Sequence, residues 1–284
     1  MTGISQPEDS RSEGNVSFSQ RRAIAIEIGG HPIVLRTEDD AFRKMVEARY
    51  AGFVGPASSS LSGFEFEIDL LSTPPEASDE EVRVERRGAS WCLRRGDFLA
   101  EWDPAQGQGR IQQTANPYSI DSVLRIVHTL ILARERGFLL HAASAIRGGR
   151  AFLFSGVSGA GKTTISRLAP PDVTLLTDEI SYIRRVGEAY HACGTPFSGE
   201  LQQSGENCSA PIQSLFFLRH GPENKVEPVT RVDALRGLMR NILFFAEDQE
   251  LVERIFHAAC EFVERVPARR LTFLPDARVW SMIQ

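Results

Sequence analysis

The chain has 284 residues, enough for two modest domains, and its 42% hydrophobic and 24% charged residues suit a soluble globular protein with a real core. With 32 basic against 37 acidic residues the net charge is −5, which argues against a nucleic-acid partner. No apolar run approaches the ~18 residues of a membrane span, so no membrane partner is expected.

The opening stretch MTGISQPEDSRSEGNVSFSQ lacks the apolar segment of a signal peptide, and residues 1–18 read as a disordered leader. Cys92, Cys193, Cys208 and Cys260 lie far apart without a C-x-x-C pair. They read as free thiols of a reducing compartment, which points to the cytoplasm. His191, Cys193 and Cys208 offer three zinc-type ligands but no fourth is evident.

Residues 19–118 read as a β-rich α+β domain. RRAIAIEIGGHPIVLR alternates around a Gly-Gly turn and predicts a hairpin. DDAFRKMVEARYAGF puts Phe42, Met45, Val46 and Tyr50 at helical spacing. FEFEIDLL places Phe64, Phe66, Ile68 and Leu70 on one strand face. After the polar loop STPPEASDEE come four short strands, EVRVERR, SWCLRRG, DFLAEWD and GRIQQTA. No motif in this half carries chemistry.

Residues 119–284 read as the second domain. A helix from Ser119 to Arg136 carries the apolar stripe Ile120, Val123, Leu124, Val127, Leu130 and Ile131. Ser119 is its expected N-cap and Gly137 its stop. His128, beside that stripe, reads as a packed histidine. GFLLHAASAIRGG then reads as the hairpin partner of the strand GRAFLFSG.

That strand runs into GVSGAGKTT, where Gly156, Gly161, Lys162 and Thr163 stand in G-x-x-x-x-G-K-[ST] register before the helical TTISRLA. Glycines let successive N–H groups face one centre, and the helix start adds its positive end. Lys162 can reach the β- and γ-phosphates of a nucleotide, and the Thr163 hydroxyl can bind Mg²⁺. The nucleotide-contacting positions are thus Gly156, Ser158, Gly159, Ala160, Gly161, Lys162, Thr163 and Thr164, with ATP and Mg²⁺ as the expected ligands. Pro170-Pro171 stops the helix, and DVTLLTDE follows as a strand ending in Asp178 and Glu179. Paired carboxylates beside a γ-phosphate serve a metal ion and an attacking hydroxyl.

In LLHAASAI, FLFSGVSGAGKTT, LLTDE and GTPFSGE the chain resembles the HPr kinase/phosphorylase family and its phosphoenolpyruvate carboxykinase-like relatives, over roughly residues 137 to 200. The resemblance implies an α/β fold whose C-terminal P-loop domain is of that type, with the α+β unit in front. It implies proton transfer to and from an acceptor hydroxyl by His141 and one acid, phosphate held by Lys162, and metal held by Thr163. Asp178, first off the strand, falls on the metal side and Glu179 on the base side, with the reverse assignment open. Glu179 stands where these kinases usually have aspartate, and Glu200 is the candidate second metal ligand. RGLMRN resembles the family's Arg-Asn signature, with Arg240 at its arginine, but its apolar neighbours read as helix.

The chain resembles most the divergent HPr kinase-related group, some of which act on natural-product precursor peptides. The expected activity is ATP-dependent phosphorylation of a serine or threonine hydroxyl in a peptide or protein, by a chain that can form homo-oligomers. Alternatives are a small-molecule kinase, with free serine as one acceptor, and a nucleotide-binding regulator without catalysis.

The C-terminal part reads as a strand (APIQSLFFLRHG), two helices (VDALRGLMRNILFFAED and QELVERIFHAACEFVERV), and a closing strand and short helix in RRLTFLPDARVWSMI. In the second helix Leu251, Val252, Ile255, Ala259 and Phe262 form the expected apolar face. The two helices are expected to cover the sheet, or alternatively to form a lid over substrate.

Overall fold

The computed structural model describes residues 22–55, 63–75 and 81–283. The expected leader lies outside these, as does part of the polar loop after residue 71. Among the described residues the fold is α/β with two mixed sheets.

The alternating segments build the first sheet. β1 (Arg22–Ile28) and β2 (His31–Thr37) form the hairpin, with Gly29 and Gly30 at φ 60° and 82°. Two left-handed residues make the tight turn that suits twisted strands. α1 (Asp40–Arg49) starts where the Asp39 carboxylate accepts the Phe42 amide at 2.7 Å. β3 (Val54–Gly55), β4 (Phe64–Leu70), β5 (Arg83–Arg87), β6 (Ser90–Arg95), β7 (Phe98–Asp103) and β8 (Gln108–Gln113) complete the sheet. Its order is β3-β1-β2-β4-β8-β7-β6-β5, parallel only where β4 meets β2 and β8. Phe66 and Ile68 are buried, with Phe64 and Leu70 packed against the same core.

α2 (Pro117–Arg134) begins two residues earlier than expected. Its N-cap is Asn116, whose side chain accepts the Tyr118 amide at 2.8 Å, and Pro117 takes the first helical position. Ser119 instead lies inside the first turn and donates to Asp97 at 2.6 Å. Most of α2 is buried, in a core it shares with strands of the first sheet and with Leu139, Ile180 and Tyr182 of the second. His128 is fully buried there, as expected.

The second sheet contains β9 (Phe138–Arg147), β10 (Arg150–Ser155), β11 (Val173–Thr177), β12 (Ile180–Val186), β13 (Ala189–Cys193), β14 (Ser209–His220), β15 (Lys225–Pro228), β16 (Ile242–Leu243) and β17 (Ala268–Phe273). β10 pairs antiparallel with β9 and parallel with β14, which in turn runs parallel to β17. Along β10, Leu153 faces one core and Phe152 and Phe154 face another. A strand covered on both faces is apolar throughout rather than alternating. α3 (Lys162–Arg167) and a 3-10 helix (Ala277–Met282) cover one side, and α4 (Arg231–Met239) and α5 (Gln249–Arg265) the other.

Two expectations at this end change. The predicted helix over 232–248 stops at Met239, because Ile242 and Leu243 pair with Leu140 and Leu139 along the open edge of β9. Asn241 seals the break, donating from Nδ2 to the Gly237 carbonyl at 2.7 Å. On α5 the buried face is Leu251, Ile255, Ala258, Ala259 and Phe262, and Val252 points to solvent. α4 and α5 both pack into the sheet's core, the covering role that was the first expectation.

Candidate active site

β9 changes partners midway, and this places the site. Residues 138–141 pair with β12, and residues 142–147 pair with β10. His141 sits at the changeover, opposite Ile180, with its amide donating to the Asn241 carbonyl at 2.7 Å. The end of β10, the start of β12 and the α4–β16 junction therefore meet around one histidine. The Arg240-Asn241 pair is at that junction rather than inside a helix.

The loop 156–161 leaves β10 and turns sharply. Gly159 and Gly161 take φ 77° and 104°, and a methyl group on Gly161 would stand 2.6 Å from the Phe273 ring. The ends of the two strands parallel to or beyond β10 brace the loop, with His220 Nε2 2.9 Å from the Gly159 carbonyl. Lys162 opens α3 with its Nζ donating to the Gly156 carbonyl at 3.2 Å. Only 8% exposed, it has its pKa lowered by burial, against the raising pull of Glu179 and Glu200.

The acid pair lies in the tight connection between β11 and β12. Thr177 Oγ1 accepts the amides of both Glu179 and Ile180 at 3.2 Å, which fixes that turn. Asp178 is buried, and its two oxygens accept the amides of Gly199 at 2.9 Å and Leu201 at 3.0 Å. Asp178 thus anchors the 199–201 loop. That loop needs glycine, since a methyl group on Gly199 would lie 2.8 Å from Asp178 Oδ2 and 2.9 Å from Glu179 Cβ.

The Glu179 carboxylate has no hydrogen-bond partner among the described residues. Burial raises its pKa most; Arg125 and Lys162 oppose that, while Asp178 and Glu200 add to it. Burial also lowers the pKa of His141, helped by the positive charge of Lys162. The imidazole is therefore held neutral near neutral pH.

A cavity of about 300 Å³ collects these groups: His141, Ser158, Gly159, Gly161, Lys162, Thr163, Thr164, Asp178, Glu179, Gly199 and Glu200 line it. Its size is at the lower end for small-molecule sites. Of the expected nucleotide-contacting positions, Gly156 and Ala160 are not on its wall. The Gly156 carbonyl holds Lys162, and the Ala160 side chain packs into the core beneath. Arg240 does not line it either. Among the described residues no three His, Cys, Asp or Glu side chains gather as a metal site, at His191, Cys193 and Cys208 or elsewhere.

Four contributors were not foreseen from sequence: Arg125, Phe197, His220 and the backbone amide of Leu201. Their places depend on how distant segments pack; Phe197 and Leu201 lie in and just after GTPFSGE, and Arg125 and His220 in no motif. Only the spacing of Arg125 on α2, off the apolar stripe, marked it as different from its neighbours.

No helix among the described residues is long and apolar enough to cross a membrane. No curated protein matches the chain. Among solved structures, that of the Hpr(Ser) kinase/phosphatase from Coxiella burnetii aligns at TM-score 0.27 and 8% identity, over 51% of this chain and 90% of that one. So loose a superposition says nothing about chemistry. Residues 110–284, more than half of the chain, match the family described as SynChlorMet cassette protein ScmC, and the chain belongs to that family.

Proposed function

We propose that the protein is an ATP-dependent phosphotransferase that phosphorylates a serine or threonine hydroxyl of a peptide or protein. The observation that carries this reading is the single cavity holding Lys162, Thr163, the acid pair and His141 together. A phosphate-binding loop alone fits many nucleotide-binding proteins. A half-buried carboxylate with no hydrogen-bond partner among the described residues, in the same cavity as that loop, fits proton abstraction.

The donor set suits a nucleotide and a hard cation. Lys162 and the loop amides hold phosphate, and the Thr163 hydroxyl with Asp178 and Glu200 offers oxygen ligands of the few-carboxylate kind that Mg²⁺ takes. When bound, ATP–Mg²⁺ supplies the phosphoryl group and offsets its charge. The acceptor oxygen bonds to the γ-phosphorus as the bond to the ADP oxygen breaks, and the hydroxyl proton passes to Glu179. The raised pKa of Glu179 makes it a stronger base than an exposed carboxylate. Asp178, with both oxygens accepting amides, suits the fixed metal side. Neutral His141, which lines the same cavity, orients the acceptor hydroxyl.

The test is calorimetry with ATP–Mg²⁺, followed by transfer of labelled γ-phosphate to an array of serine- and threonine-containing peptides. Binding with transfer that disappears in Glu179→Gln supports the proposal. Absence of ATP binding to the wild type sinks it.

A further inference from the structure

Asp178 and Glu179 sit in a turn that one residue outside it bridges. β12 and β13 pair Tyr182 with Cys193, and that register, carried two residues further, sets Ile180 opposite Thr195. The backbone does not keep the ladder there. The Thr195 amide donates instead to the carbonyl of Leu176 on β11, at 3.1 Å. Its hydroxyl takes over the vacated position and donates to the Ile180 carbonyl at 2.9 Å. Thr195 is fully buried, so water does not compete for either bond. The chain before the two acids and the chain after them are thus gripped by a single residue.

The same residue holds the segment that carries the cavity's third carboxylate. The Thr195 carbonyl accepts the Gly205 amide at 3.0 Å and pins the end of the 199–205 loop. Asp178 pins the start of that loop through the amides of Gly199 and Leu201. Gly205 lies so close to β11 that a methyl group there would stand 1.7 Å from the Leu176 carbonyl oxygen. Glu200, which shares the cavity with the acid pair, rides on this loop. Turn and loop are therefore tied into one unit, with Thr195 at the joint.

We propose that Thr195 is a positioning residue, whose hydroxyl sets the place of Asp178 and Glu179 relative to Glu200 and the phosphate loop. Its role rests on the phosphotransferase reading and adds to it a residue that is not on the cavity wall. Transfer needs its metal ligands and base held within fractions of an ångström. A shifted turn therefore lowers turnover more than nucleotide binding, which the 156–164 loop supplies. Valine keeps the shape of threonine and loses the donor, so only the hydroxyl is tested by that change.

The experiment uses the full chain as wild type, Thr195→Val, Thr195→Ser and Thr129→Val. The last deletes another buried hydroxyl, which donates to the Ile126 carbonyl at 2.7 Å and lies off the cavity wall. Hydrogen exchange of the nucleotide-free proteins is read at Gly199 and Leu201, whose amides bond Asp178 and report its place. Turnover is read as transfer of γ-phosphate from ATP–Mg²⁺ to a serine or threonine peptide that the wild type labels, with ATP affinity measured by calorimetry. Thr195→Val should speed exchange at both amides and lower turnover, each about tenfold, the scale of one lost hydrogen bond. ATP affinity should stay unchanged. Thr195→Ser should recover most of both losses, and Thr129→Val should show neither. Wild-type exchange rates at Gly199 and Leu201 in Thr195→Val overturn the proposal, whether or not transfer is found. So does full turnover in that variant, a loss of ATP affinity as large as the loss of turnover, or a serine variant no better than valine. Should Thr195→Val not fold, Thr195→Cys, whose thiol is a weak donor, is held to the same limits. A wild type that neither binds ATP nor transfers phosphate refutes the phosphotransferase reading instead, and the exchange rates still judge whether Thr195 places the turn.

Discussion

The backbone amide of His141 donates to the carbonyl of Asn241 at 2.7 Å, which joins residues a hundred positions apart at the wall of the candidate site. Through this bond the α4–β16 junction reports on the strand that precedes the phosphate loop. The histidine's place is therefore fixed by main chain, and its side chain is left to the cavity.

Lys162→Ala should weaken ATP binding or turnover about a hundredfold, the scale of losing one preorganised donor to a developing charge. The lysine is buried and bonded only to its own loop, so its removal leaves no stranded partner elsewhere. Calorimetry with ATP–Mg²⁺ and a melting curve together check this; equal ATP affinity in both proteins would refute it.

Glu179→Gln separates stability from transfer. Burial raises the pKa of this carboxylate, so the folded chain binds the proton more tightly than the unfolded chain does. Its contribution is harmless below the unfolded value, and stability is lost as pH rises through the folded one. The variant should melt higher than wild type at neutral pH, with the gain vanishing in acid, while transfer to a verified acceptor disappears. Wild-type transfer should rise with pH through the same titration. An unchanged transfer rate in the variant would remove Glu179 from the chemistry.

Asp178→Asn should act on the 199–201 loop as well as on chemistry. An amide offers one acceptor oxygen where two backbone N–H groups now bond to carboxylate. The expected cost is about 1–3 kcal/mol, the scale of a buried group left unsatisfied. Denaturant titration measures it, and hydrogen exchange at Leu201 should speed up. Gly199→Ala should disturb the acid pair from the other side, lowering transfer more than ATP binding.

His128 predicts the acid limb of the stability curve. It is buried near Tyr182, 3.4 Å from its hydroxyl, which also meets His31 at 2.8 Å; His31 in turn bonds Glu135 at 2.8 Å. Burial, with His31 adding repulsion, lowers the His128 pKa from 6.5 to about 3. The unfolded chain takes up a proton that the folded chain refuses, so stability falls as pH drops from 6.5 toward 3. The slope is about 1.4 kcal/mol per pH unit for one such proton. His128→Gln should flatten this limb in melts recorded from pH 7 to 4.

Much of the candidate site was legible because it is local. The register of Gly156, Gly161, Lys162 and Thr163, the strand before it and the acids after it lie within a short run of chain, and the cavity brings together His141, Lys162, Thr163, Asp178, Glu179 and Glu200. The strands were readable where one face is buried, as in β4, or where glycines mark a turn, as at 29–30 and 148–149. What failed depended on distant partners. The helix expected past Met239 breaks because β9 has an edge to fill, and no local pattern announces that edge. Ser119 and Asn116 are both good caps by type, and Pro117 decided between them. Arg125 and Phe197 meet only after α2 has docked.

That docking has a thermodynamic corollary. α2 shares one core with the first sheet and with Leu139, Ile180 and Tyr182 of the second, so melting the first sheet strips packing from the second as well. Heat or denaturant should therefore unfold the described chain in one cooperative transition with coincident near- and far-ultraviolet dichroism, rather than sheet by sheet.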